Sequence, residues 1–273
     1  MAREAALRAD PAGASGSAER FGYEWHHYRD MLPAYEEQFR RWTPHLVPSD
    51  WRGKSFLDVG CGMGRNSYWP MSYGAAGGLA IDVDARSLAA ARATLKPFPA
   101  VAIAERSAYA IGEQARFDIV FSIGVIHHLA APAAALKGMV AAAKPGGKVM
   151  IWVYGLENNR WIAKGLSPLR KLLFSRLPIG LVHHLSLYPA ALLWLALRSG
   201  LNAIEYFRLL RRLPFAHMRS IVFDQMLPKI AHYWPREEVL RLMQEAGLKD
   251  VHLAWVNEMS WSAIGTRPAA PAR

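Results

Sequence analysis

Residues 56–67, FLDVGCGMGRNS, constrain this chain more than any other stretch: a short apolar run ends in an acid and opens into glycine at every second position. The run over 55–59 predicts a buried strand. Gly60, Gly62 and Gly64 permit backbone conformations, and a close ligand approach, that a Cβ would obstruct. A strand, a tight turn and a helix start therefore follow one another directly. A dinucleotide site asks for G-x-G-x-x-G facing a pyrophosphate. Here the order is Gly60-Cys61-Gly62-Met63-Gly64, with Asp58 two residues ahead. A carboxylate at that place repels a phosphate and attracts an ammonium.

A second acid, Asp82, ends the segment GGLAID eighteen residues past Gly64, where the next strand is expected. A carboxylate at the tip of a second parallel strand can accept both hydroxyls of a ribose. The plainer alternative makes Asp58 a solvated turn residue and Asp82 a helix N-cap, although Asp84 is better placed to cap the run over 85–95. Two acids at the ends of successive strands, around a glycine turn, have the polarity expected for the amino-acid end and the ribose of S-adenosylmethionine.

Downstream the chain alternates. Strands are expected over 55–59, 78–82, 100–104, 117–122 and 147–153, and helices over 64–74, 85–96 and 131–143, a rhythm that specifies a parallel sheet covered on both faces. Ligands collect at the carboxyl ends of such strands. Residues 1–20 are small, polar and charged, which predicts a disordered tail. A helical lid is expected over 21–50, where Tyr35, Phe39 and Trp42 recur at helical spacing; Trp25, Tyr28 and Tyr35 are packing residues or substrate contacts. Between 156 and 234 the rhythm breaks into a helical insertion. The core then resumes with a helix over 235–246 closed by Gly247, and strands over 251–256 and 260–266 that can pair antiparallel. The expected division is a tail at 1–20, a lid at 21–50, a core at 51–155 and 235–267, and a cap at 156–234.

Four segments stand in a telling order: LDVGCGMG, AIDVD, FDIVFSIGVIHHL over 117–129, and KPGGKVMIWV over 144–153. On these the chain resembles the class I S-adenosylmethionine-dependent methyltransferases over 51–154 and 235–266. The resemblance implies an α/β fold, a Rossmann-like seven-stranded methyltransferase sheet with an α-helical cap insertion. It implies that the glycine turn holds the methionine part of the cofactor, the acid after strand two the ribose, and the segment after strand three the adenine. The positions so implicated are Asp58, Gly60, Cys61, Gly62, Gly64, Asn66, Asp82, Val83, Ser107, Ala108, Ser122 and Ile123. The third segment, Glu105-Arg106-Ser107-Ala108-Tyr109, departs from the family pattern of an Asp beside a small residue. An insertion after strand five overhangs the transferable methyl group and commonly builds the substrate pocket in this family.

Methyl transfer from a sulfonium is an in-line displacement, so alignment and exclusion of water are the main demands. A hydroxyl nucleophile also needs a base. His127 and His128, just past strand four, can serve as that base or pack against the next helix. Tyr154, Glu157 and Asn158 form a rim after strand five. Asp224 is an acid in an apolar, basic neighbourhood, either a substrate contact or a partner for an insertion arginine. No metal set is expected, because His26-His27, His127-His128 and His183-His184 are adjacent pairs, and neighbours on a helix do not face one site. The single cysteine, Cys61, excludes an internal disulfide and a zinc cluster.

The formal net charge of +11 is uneven: residues 156–234 hold eleven Lys or Arg against three acids, a surplus of eight. This is an ordinary solvated basic face or the mark of an anionic partner. Inside the insertion, residues 177–197 are 21 mostly apolar residues, and a membrane span needs about 20. Pro178, Gly180, His183, His184, Ser186 and Pro189 interrupt the stretch, which favours a buried helical pair, a dimer surface or an apolar lid over a lipid-like substrate. Arg170, Lys171, Arg176, Arg198, Arg208, Arg211 and Arg212 would suit a helix lying on an anionic membrane. No apolar run follows Met1, so neither a signal peptide nor an anchor is expected. The location expected is cytoplasmic, either free or peripheral to the inner face of a membrane. The expected function is methyl transfer from S-adenosylmethionine to a small-molecule acceptor with an apolar or lipid-like part, O-methylation being favoured. The alternatives are a tRNA-modifying enzyme on the same fold and a non-catalytic cofactor-binding scaffold. A dinucleotide oxidoreductase loses on glycine spacing.

Overall fold

The computed structural model describes residues 18–28, 30–200 and 205–269. Its centre is a seven-stranded sheet of β1 (Ser55–Val59), β2 (Gly77–Asp82), β3 (Val101–Glu105), β4 (Phe117–Ile123), β5 (Ala143–Tyr154), β6 (Lys249–Val256) and β7 (Ser260–Thr266), in the order β3-β2-β1-β4-β5-β7-β6. The first five strands are parallel, and β7 runs antiparallel between β5 and β6. Both faces are covered, so β1 is apolar on both: Phe56 joins one core cluster and Leu57 and Val59 the other, as a period of two requires. The strand order reverses between β1 and β4. A crevice opens there at the carboxyl ends, between the glycine turn after β1 and the segment after β4.

Helices α3 (Arg65–Ser72), α4 (Ala85–Thr94) and α5 (Pro132–Ala142) connect the parallel strands, and α11 (Arg236–Glu245) precedes β6. Asp84 caps α4, accepting from the backbone N–H groups of Arg86 and Ser87. Strand β5 begins at Ala143, earlier than Pro145-Gly146-Gly147 allows in a sequence reading. Ala143 pairs with Phe117, and a register break between Phe117 and Ile119 absorbs the irregular residues.

The lid holds α1 (Ala18–His27) and α2 (Ala34–Trp42). The expected disordered tail lies outside the described residues up to residue 17, and Ala18 to Arg20 instead open α1. Arg20 explains the order there: it is buried, and its guanidinium donates to the carbonyls of Phe174 at 2.8 Å and of Ser175 and Leu177 at 3.4 Å, tying the lid to the cap. Tyr35, Phe39 and Trp42 are all buried. The cap comprises α6 (Ser167–Leu172), α7 (Ile179–Leu185), α8 (Leu187–Arg198), α9 (Glu205–Leu210) and α10 (Phe215–Met226). Lid and cap also join through Tyr28 Oη to His183 Nε2 at 3.0 Å, Tyr35 Oη to His217 Nδ1 at 3.2 Å, and Ser220 Oγ donating to Glu24 at 2.8 Å. They form one roof over the crevice.

Candidate active site

Under that roof lies a cavity of about 650 Å3 that runs from the glycine turn to the inner face of the cap. Its floor is backbone. The N–H groups of Gly60 and Cys61 donate to Ile81 O at 2.8 and 2.9 Å, and that of Gly62 to Asp82 Oδ2 at 2.9 Å, so the turn is stapled to the end of β2. Gly62 has a φ of +53°, and a Cβ there would come within 2.9 Å of the Trp25 indole nitrogen. The lid therefore sits directly on the turn. Asp82 Oδ1 accepts from the Asp84 N–H at 3.0 Å, leaving further lone pairs of this carboxylate at the cavity wall. Burial raises its pKa, against the pull of the three backbone donors around it.

Of the positions implicated by sequence, Gly60, Cys61, Gly62, Asn66, Asp82, Val83, Ser107, Ala108 and Ile123 line this cavity. Three do not. Asp58 is fully buried behind the turn, on the face of β1 that meets α3, where its Oδ2 accepts from Ser67 Oγ at 2.7 Å. Its Oδ1 has no hydrogen-bond partner, and burial pushes the carboxyl up to about 7. The expected carboxylate pair is thus split: Asp82 can touch a ligand, and Asp58 acts on it only through the field across the turn. Gly64 serves packing, since a Cβ there would meet Leu95 at 3.0 Å and the Ala91 backbone at 3.2 Å, so its role is the close approach of α3 to α4. Ser122 is fully buried and donates to Val59 O at 2.7 Å, bonding β4 to β1 instead of facing the crevice.

The far wall is made of side chains. Asp224 and Gln225 reach it from α10, and Tyr154 from the end of β5. Tyr154 Oη donates to Asp224 Oδ2 at 3.1 Å and accepts from Gln225 Nε2 at 2.8 Å. Desolvation raises Asp224 to about 6, opposed by the Tyr154 hydrogen bond and by Arg65 and Arg170. Glu24, from the lid, is buried on the same cavity with Oε2 unpartnered, and desolvation with the Asp224 charge pushes its carboxyl well up. Burial and mutual repulsion thus push both carboxyls of this cavity upward. Asn158 is a correction: it is exposed, sits at φ +56°, and its amide donates to Glu258 O at 2.8 Å, outside the cavity. Its neighbour Asn159 lines the cavity instead, held by the carbonyls of Gly155 at 2.8 Å and Met259 at 2.6 Å.

The two histidines separate as well. His128 lines the cavity; its Nδ1 lies 2.8 Å from Ile230 O, so Nδ1 carries the proton and Nε2 the lone pair. Burial depresses it to about 3, which makes it neutral and a weak base. His127 is fully buried outside the cavity, neither ring nitrogen has a partner, and its ring packs 3.9 Å from that of Tyr154. It is a packing residue.

Sequence reasoning missed Arg65. Its guanidinium lies 4.9 Å from the ring centres of Trp25 and Tyr35 and 5.3 Å from that of Trp42, an aromatic cage that fixes a cation on the cavity wall beside Asn66. The only local signal was an arginine opening the helix after the glycine turn. Arg170, counted in the sequence among the arginines suited to an anionic membrane, is instead fully buried and donates to Gln225 O at 3.1 Å and Ser167 Oγ at 2.9 Å, joining α6 to α10. Among the described residues no three His, Cys, Asp or Glu side chains converge as a metal site.

These residues fit S-adenosylmethionine. A cradle that side chains would fill, a carboxylate for a ribose, a cation for a carboxylate and an unpartnered buried oxygen at Asp58 stand around one turn. The family described as "Methyltransferase domain" matches residues 57–151. A tRNA U34 carboxymethyltransferase of Pseudoalteromonas translucida is 30% identical over 121 residues, 44% of this chain and 37% of that protein. One of Hahella chejuensis is 32% identical over 41% of this chain and 36% of its own length. The chain thus aligns with little more than a third of these relatives. Among solved structures, an O-methyltransferase family protein from Burkholderia thailandensis superposes with a TM-score of 0.54 at 16% identity, covering 86% of this chain and 59% of that one. A methyltransferase from Thermotoga maritima superposes at 0.51 with 15% identity, over 90% and 93%. The matched segment carries the glycine turn, both acids and strands β1 to β4, so residues 57–151 are a methyltransferase domain, and the sheet around them has the fold of S-adenosylmethionine-dependent methyltransferases.

Proposed function

We propose that this protein transfers the methyl group of S-adenosylmethionine to an oxygen of a small acceptor with an apolar body, enclosed beneath the cap. The observation that carries the reading is the single cavity joining the glycine turn to the Tyr154–Asp224 pair through walls that are mostly apolar. Asp82 would accept the ribose hydroxyls, Arg65 would pair with the cofactor carboxylate, and Ser107 and Ala108 would flank the adenine. When bound, the cofactor supplies an electrophilic methyl group on a cationic sulfur. Asp224 accepts the proton of the acceptor hydroxyl, being raised enough to be a fair base and still ionised at neutral pH. Tyr154 and Gln225 hold that carboxylate in place. Trp25 and the roof of lid and cap keep water from the reacting groups.

Calorimetric titration with S-adenosylmethionine and S-adenosylhomocysteine, followed by a screen of apolar hydroxylated acceptors for homocysteine-nucleoside release, tests the proposal. Binding of both nucleosides is expected, with turnover only when an acceptor fits. Absence of nucleoside binding would overturn it, whereas binding without turnover on any acceptor would leave a cofactor-binding scaffold. A tRNA substrate is the second reading, favoured by the names of the aligned relatives and by the basic insertion. It requires tRNA binding whose affinity falls steeply with added salt.

A further inference from the structure

The outer face of the cap is apolar where a solvated surface should be polar. In α8, Tyr188, Leu192 and Leu195 are 58%, 69% and 59% exposed, and their i, i+4, i+7 spacing puts them on one stripe. The opposite stripe is the packed one: Ala190 and Leu197 are buried, Leu197 against Leu210 and Met218. Leu172 of α6 and Leu181 of α7 are 66% and 44% exposed, and Trp161 is 63% exposed. Monomeric soluble proteins rarely leave so many large apolar side chains outside without a partner.

Charge indicates which partner. No acid occurs between Glu157 and Glu205, while Arg160, Lys164, Arg176 and Arg198 are exposed in the same segment. Arg198 stacks on Trp194, 3.9 Å from the ring centre, at the end of α8. A second copy of this chain docking here by a twofold would bring like charges together. A bilayer with anionic headgroups offers acyl chains to the leucines and phosphates to the arginines. Residues 179–198 are long and apolar enough to cross a bilayer, but α7 and α8 meet at buried Ser186, and Val182 and Leu197 pack them onto the rest of the cap, an arrangement that suits a helix pair lying on the membrane.

The patch is continuous with the cavity. Trp161, Leu169 and Pro189 are exposed outside and also line the cavity within. We propose that the outer face of the cap lies in the plane of an anionic phospholipid membrane, with the mouth of the cavity turned to the bilayer, so that an amphipathic acceptor enters from the lipid phase. The docking surface stands on the cap alone; only the entry route rests on the methyl-transfer reading.

Flotation of the full chain with vesicles tests it, comparing phosphatidylcholine alone with about three parts phosphatidylcholine to one of phosphatidylglycerol. The chain should float with the anionic vesicles on the order of tenfold more than with the neutral ones, and less when salt rises from about 0.1 M to about 0.5 M. Leu192→Asp with Leu195→Asp should lower that binding on the order of tenfold. These side chains point outward, so circular dichroism and S-adenosylmethionine affinity of the variant should match the parent. Equal vesicle binding by parent and variant overturns the proposal, as does the absence of binding to anionic vesicles. So does a parent that sediments as a dimer, loses the dimer in the variant and ignores vesicles, which would assign the patch to a second copy. Because cofactor affinity is read separately, loss of vesicle binding and failure of the methyl-transfer reading are distinguishable.

Discussion

The two walls of the cavity are built from different materials. On the sheet side the site is backbone: N–H groups of the glycine turn, the end of β2 and a tip carboxylate that they hold. On the cap side it is side chains, a tyrosine, an aspartate and a glutamine gathered from elements seventy residues apart in sequence. A backbone site tolerates change in its neighbours and recurs across a family. A side-chain site is rewritten by single substitutions, which is how one fold takes on many acceptors. Changes on the cap side should therefore leave cofactor affinity alone, and changes on the sheet side should abolish it.

The largest effect expected is at Asp224. Asp224→Asn should lower kcat by about 10²–10⁴-fold, the usual range for loss of a general base, with the dissociation constant for S-adenosylmethionine unchanged. In the parent, kcat should rise with pH through about 6, because the carboxylate must be ionised to accept a proton. Glu24, raised by burial and by the Asp224 charge, shares the cavity, so a Glu24→Gln variant should shift the midpoint of that profile. An Asp224→Asn variant that keeps its turnover, or loses cofactor affinity in parallel, breaks the division between the walls.

Asp58 comes next, through stability. Its folded pKa of about 7 stands well above the ~3.9 of an unfolded aspartate. The folded state thus holds a proton that the unfolded chain releases, so its stability is full below about pH 4 and erodes as pH rises towards 7. The loss is on the order of 4 kcal/mol. Asp58→Asn keeps an acceptor for Ser67 and removes the titration, so chemical denaturation should show the variant gaining on the parent between pH 4 and 7. Saturating S-adenosylmethionine, which brings positive charge towards this carboxylate, should narrow the gap. A constant difference across that range would show that Asp58 ionises freely.

Asp82→Ala removes the acceptor for the backbone N–H groups that surround it, those of Gly62 and Asp84 among them, and, on the proposed pose, for the ribose. Cofactor binding should weaken by about thirtyfold to a hundredfold, in line with charge-assisted hydrogen bonds at ~1.5–3 kcal/mol. Vesicle binding by the cap should be untouched. Affinity within a factor of about two of the parent would put the ribose elsewhere.

The same contrast decides what could be read from the chain before its fold. Strand β1, the glycine turn and Asp82 follow from nearest-neighbour chemistry: a pleat, a φ above zero, an acid at a strand tip. They lie within a few residues of their predicted places, and most of the positions implicated there do line the cavity. The exceptions, Asp58, Gly64 and Ser122, sit on correct elements and face away from the crevice, because a motif gives position along the chain and the pleat or helix phase gives direction. Elsewhere around the cavity, Glu24 and Gln225 carried no local signal, and Arg65 only its place at the start of the helix after the glycine turn. Arg65 is held by rings from residues 25, 35 and 42, and Glu24 by Ser220 from a helix nearly two hundred residues away. Neither arrangement has a period to detect. Arg170 shows the reverse error, a charge read as lying on a membrane-facing surface that in fact joins two helices from inside.

The smallest effect, and the sharpest probe of that lesson, is at His127. Sequence places it beside His128 as a possible base, whereas the fold buries it with both nitrogens unpartnered and its pKa depressed well below the ordinary range, chiefly by desolvation. Such a group is neutral when folded and takes up a proton when unfolded, so it costs stability as pH falls below ~6.5 and costs nothing above it. His127→Phe replaces two unsatisfied nitrogens with carbon at nearly equal volume. At pH 8 unfolding free energy should change by within about 1 kcal/mol, and kcat should stay within a factor of about three of the parent. At pH 5 the variant should be the more stable of the two, by an amount that vanishes as pH rises past 7. A collapse of turnover at pH 8 in a folded variant would instead return this histidine to the chemistry, and move the catalytic wall from α10 to the end of β4.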